Sequence, residues 1–76
     1  MQVRDLINTC KAAMPVVIGM TDYNRHGAPC YTTARYRLPA LVTGPILSAY
    51  VWEWYISEGH IMIEAGTLKG GYHGKE

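Results

Sequence analysis

Cys30 stands four residues after His26, and Glu53 and Glu64 stand on either side of a turn at Glu58-Gly59. These are the positions at which this chain could do chemistry. A thiol beside an imidazole base is the minimal nucleophile pair, with His26 or His60 as the base for Cys30. Cys30 follows Pro29 and opens a strand-like alternation, so its sulfur can reach solvent. The surrounding segment "NRHGAPC" supplies a turn but no helix start and no set of oxyanion donors. A metal centre built from Cys10, His26, Cys30 and His60 lacks the tight spacings, such as Cys-x2-Cys, that zinc sites use. His73 lies among glycines, and Gly66, Gly70, Gly71 and Gly74 have no Lys-Ser/Thr partner for cradling a phosphate. The sequence predicts no catalytic residue, no metal and no cofactor. Cys10 and Cys30 are too few and too far apart for a disulfide framework and are expected as free, mostly buried thiols.

The two glutamates belong to "VWEWYISEGHIMIEAG", residues 51–66. With Glu58-Gly59 at the centre of a two-residue turn, Ser57 faces His60, Ile56 faces Ile61, Tyr55 faces Met62, Trp54 faces Ile63, and Glu53 faces Glu64. Side chains alternate across a strand. One face then carries Trp52, Trp54, Ile56, Ile61, Ile63 and Ala65, fit to receive a helix. The other carries Val51, Glu53, Tyr55, Met62 and Glu64. Carboxylates directly opposite one another repel. Three arrangements accommodate them: Arg35 or Arg37 between them, screening by solvent, or a cationic partner. A one-residue slip would turn both glutamates inward.

The elements that position this hairpin are legible upstream. Val3, Leu6, Ile7, Cys10 and Met14 fall on one face of a helix, with Asp5 in its first turn and Lys11 near its end. Pro15 disfavours helical geometry at Met14. This predicts an amphipathic helix over residues 3–13. Val16, Val17 and Ile18 begin a strand, and residues 24–29 are turn chemistry around Gly27. In "CYTTARYRL", Cys30, Thr32, Ala34 and Tyr36 point toward the core, and Tyr31, Thr33, Arg35 and Arg37 point away. Residues 39–45, bracketed by Pro39 and Pro45, form a connection with room for a short helical turn. A third strand is expected from Ile46 to Ile56 and a fourth from His60 to Ala65. Residues 68–76 read as a flexible tail after a single domain over 1–67. The expected fold is α+β, with an N-terminal amphipathic helix packed on a four-stranded, mainly antiparallel sheet.

With 76 residues the chain has room for one core and a modest stability margin. Hydrophobic residues make up 49% and charged residues 17%, below the ~25% of an average domain, which points toward an interface. The net charge of +1 and the lack of a basic stripe argue against nucleic acid as partner. Six tyrosines and two tryptophans still permit a stacking platform around Tyr31, Arg35 and Arg37. No apolar run approaches a membrane span, and the first residues, with Arg4 and Asp5, lack a secretory pattern, so the cytosol is the expected compartment.

"VRDLINTC…MPVVIG" and "YVWEWYISEGHIMIEAG" resemble a pattern in small accessory proteins of bacteriophages and mobile elements. These open with a Val-x-Asp/Glu-Leu-Ile helix, pass into a Val/Ile strand and close on a hairpin. The resemblance covers about half the chain and carries over no site residues. It implies a non-enzymatic binder that blocks a host or defence protein, such as a CRISPR effector, inside the bacterial cell. Glu53, Tyr55, Met62, Glu64, Arg35 and Arg37 are the candidate partner-binding residues. An exposed sheet edge also allows a homodimer. The alternatives are a nucleotide- or small-ligand-sequestering protein, with Arg35, Arg37 and tyrosines facing the ligand, and a structural phage component.

Overall fold

The structure is a computed structural model and describes residues 1–10 and 13–67. The expected tail, residues 68–76, lies outside the described residues, as do Lys11 and Ala12 of the expected helix.

Helix α1 spans Val3–Thr9 and strands β1 to β4 span Val16–Tyr23, Pro29–Tyr36, Tyr50–Ser57 and His60–Gly66. Two short 3-10 turns, Pro39–Leu41 and Pro45–Ser48, lie between β2 and β3. The fold is α+β. The sheet order is β2-β1-β4-β3. Each outer pair is an antiparallel hairpin, and the central pair, β1 with β4, is parallel. Sequence predicted both hairpins; the parallel seam between them is new. Its signal is the unbroken run Val16-Val17-Ile18, all three buried. Val17 points to the uncovered face and is still only 9% exposed, because β1 is a central strand with neighbours on both sides.

The helix is shorter than its apolar stripe. It stops at Thr9, whose hydroxyl donates back to the Leu6 carbonyl at 2.9 Å, and Cys10 is already extended at φ −84°, ψ 116°. A Thr side chain that bonds to the preceding turn competes with helix propagation. Val3 and Leu6 are buried, while Ile7, Cys10 and Met14 pack at the edge of the core. The expected third strand also begins later than predicted. Pro45–Ser48 forms a 3-10 turn, because proline suits the first position of a helical turn and cannot donate to a ladder.

The core joins α1, the connection and the sheet through Val3, Val16, Ile18, Val42, Ala49, Ile61, Ile63 and Ala65. Burying a side chain such as Ile18 or Ile63 contributes ~1.5–3 kcal/mol. The N-terminus is tied to the outer edge of β3. Val3 N–H donates to Ala49 O and Val51 N–H donates to Met1 O, both at 2.8 Å. Arg4 and the Gln2 side chain bond Ser48 at 2.8 and 3.1 Å. Among the described residues, every element that covers the sheet lies on the face carrying Ile18 and Ile63.

Candidate functional site

The β3–β4 turn sets the geometry of the opposite face. Glu58 has φ 53° and Gly59 has φ 76°, the pair of left-handed residues that a type I′ hairpin requires. From that turn the register runs Ser57–His60, Ile56–Ile61, Tyr55–Met62, Trp54–Ile63 and Glu53–Glu64, as the sequence predicts. Glu53 and Glu64 are exposed and directly opposed.

Beyond Glu53 the alternation breaks. The register jumps between Val51 and Glu53, so Val51 pairs with Ala65 and Trp52 is the extra residue of a bulge. Val51 therefore packs against the core, and Trp52, expected under the helix, crosses to the second face. Its indole lies on Gly66, where an added Cβ would collide with ring atoms Cζ2 and Cη2 and sit 2.9 Å from the Thr21 carbonyl oxygen. Thr21 is 7% exposed, buried on a face that no described helix or turn covers.

Arg35 does not separate the glutamates. It lies on β2, the far edge of the sheet, three strand spacings or roughly 14 Å from β3. Arg37 lies just past the end of the same strand. Glu64 instead leans the other way, over β1. A Cβ at its partner Gly19 would lie 3.0 Å from Glu64 Oε1. Among the described residues no ion pair involves Glu53, Glu64, Arg35 or Arg37. The second face thus has an acidic side with Trp52, Tyr55 and Met62, and a basic side with Tyr31 and Arg35. Tyr31 and Tyr55 are 68% and 45% exposed.

At one end of the sheet, where β1 and β4 begin and β2 ends, lies a cleft of about 340 Å³ lined by Pro15, Val17, Arg35, Tyr36, Arg37 and His60 among others. The parallel seam brings His60 there: Ile61 N–H donates to the Pro15 carbonyl at 2.8 Å. A reading that treated the two hairpins separately could not place His60 beside the arginines.

The remaining sequence candidates do not converge. Cys30 is exposed, contrary to expectation, because β2 is an edge strand that the covering elements do not reach; Cys10 is half-buried, and both are free thiols. Cys30 Sγ lies 4.0 Å from the Ala28 carbonyl oxygen, and no hydrogen bond joins it to His26 or His60 among the described residues. Trp54 and Ile56, expected beneath the helix, are 47% and 58% exposed because α1 is only two turns long. They flank a groove of about 200 Å³ beside Leu6 and Met14. Among the described residues, no group of three metal-ligating side chains converges, and no helix is long and apolar enough to cross a membrane.

Comparison with protein-family models, with curated proteins and with solved structures found no match to this chain.

Proposed function

We propose that this protein is a small, non-enzymatic binding module that acts by covering a functional surface of a protein target. The observation that carries the reading is the opposed pair Glu53 and Glu64. Both are exposed, neither is neutralised by a described cation, and they sit beside Trp52, Tyr55 and Met62 on an open sheet face. Aromatic and methionine side chains supply contact area at interfaces. Paired carboxylates present the charge of neighbouring phosphates and fit a basic nucleic-acid groove. In its most specific form the target is a nucleic-acid-handling protein of a bacterial defence system, and the module is an inhibitor carried by a phage and acting in the host cytoplasm. The resemblance of the helix and hairpin motifs to phage accessory proteins supports that form. Among the described residues β2 and the 53–57 part of β3 are sheet edges, which supports self-association as a homodimer.

The test is binding to purified candidate defence nucleases, with the double variant Glu53→Arg/Glu64→Arg beside the parent. The double reversal keeps a like-charged pair, so the hairpin bears a similar strain while the face changes sign. Binding that is stoichiometric and lost in the folded variant supports the reading. Equal binding by both proteins places the interface elsewhere and defeats it.

A further inference from the structure

We infer that the cleft at the start of β1 and β4 binds a small phosphate-bearing molecule, independently of the docking face. Arg35 lies in β2 and Arg37 one residue past its end, so their Cα atoms are at most roughly 7 Å apart, and both side chains line the cleft. That is a span over which two guanidinium forks can converge on one phosphoryl group, each donating in the paired geometry that oxyanions accept. Of the four described arginines, Arg4, Arg25, Arg35 and Arg37, these two line one cleft. Among the described residues no acidic side chain lines it. Glu58, in the adjoining turn, contributes its carbonyl oxygen, 2.9 Å from His60 Nδ1. The rest of the lining is largely apolar, with Pro15 and Val17 beside the half-buried Tyr36. Two arginines and an apolar lining together match a phosphate ester with an organic group better than a bare ion. The volume, about 340 Å³, lies at the lower end of small-ligand sites.

The test titrates the 15N-labelled protein with phenyl phosphate and with orthophosphate at constant ionic strength, following backbone amide shifts. Saturable shifts confined to residues 16–17, 35–37 and 60–61, with phenyl phosphate several-fold tighter, are expected. Arg37→Ala should weaken phenyl phosphate binding roughly tenfold or more, as removal of a charge-assisted hydrogen bond does. Arg37→Lys keeps the charge and should recover only part of it. Arg25→Ala, in the β1–β2 turn at the opposite end of the sheet, should leave binding unchanged. Shifts that do not saturate, that spread equally to Arg4 and Arg25, or that survive Arg37→Ala overturn the inference. The Glu53→Arg/Glu64→Arg protein should bind phenyl phosphate like the parent, so failure of the docking reading and failure of this one are separable.

Discussion

Glu64 lays its carboxylate over Gly19, the residue beside it on β1. That position takes the carboxylate toward β1, on the side of β4 away from Glu53. The missing side chain at Gly19 gives Glu64 room to lean away from its like-charged neighbour. A glycine inside a strand costs order and packing, and here it relieves a repulsion instead.

Gly19→Ala should therefore destabilise the protein by pushing Glu64 back toward Glu53. The loss should shrink when Glu53 is first changed to Gln, with a coupling of roughly 0.5 kcal/mol or more between the two sites. A double-mutant cycle by urea denaturation measures it. Additive effects would mean that Glu64 leans over Gly19 for some other reason.

Gly66→Ala is the harsher change. The atoms a Cβ would meet are a rigid indole and a backbone carbonyl, not the end of a flexible chain. A loss of about 1–3 kcal/mol is expected from overpacking, with a shift in tryptophan fluorescence as Trp52 is displaced. Denaturation that matches the parent would place Trp52 elsewhere.

Glu58 holds a left-handed conformation that a residue with a Cβ adopts at a cost. Glu58→Asn suits the first centre of a type I′ turn and should stabilise by ~0.5–1 kcal/mol, read as a higher urea midpoint with an unchanged slope.

Ile56 and Ile63 lie on the same sheet face, yet one is 58% and the other 1% exposed. Ile63→Ala should cost about 2–5 kcal/mol. Ile56→Ala should cost under ~1 kcal/mol, since α1 ends before it can cover that position. Thermal melts of the pair check the contrast, and equal losses would show Ile56 covered in solution.

Cys30 is exposed and Cys10 half-buried. A thiol reagent such as Ellman's should label Cys30 first in the folded protein, with Cys10 following slowly. Mass spectrometry of the partly labelled chain decides the order, and faster labelling of Cys10 would contradict the packing around α1.

The readable parts of this fold are those governed by local rules. Glu58-Gly59 specifies its own turn, and the turn specifies five residue pairs, including Glu53 with Glu64. The bulge at Trp52 escapes such reasoning because a period of two has no place for an extra residue. Its trace in the sequence is Gly66, a small residue opposite a large one. The helix end escapes because Leu6 and Met14 share a periodicity although Thr9 ends the helix between them. Arg35 and the glutamates share a face, as read, but alternation along strands says nothing about which strands are neighbours. The order β2-β1-β4-β3 separates them, and the same order gathers His60 with the arginines.

The parallel seam between β1 and β4 has a consequence for assembly. Each hairpin is closed by its own short turn, but neither half can hide its apolar side alone: Val16 and Ile18 meet Ile61 and Ile63 only across the seam. The two halves are joined through residues 37–49, where Thr43 and Gly44 are exposed. Hairpins form in microseconds, while distant segments meet more slowly. Docking of the two transient hairpins is then the step expected to limit folding. A chain cut between Thr43 and Gly44 should give two peptides without stable structure that regain the sheet when mixed, the behaviour a split reporter needs.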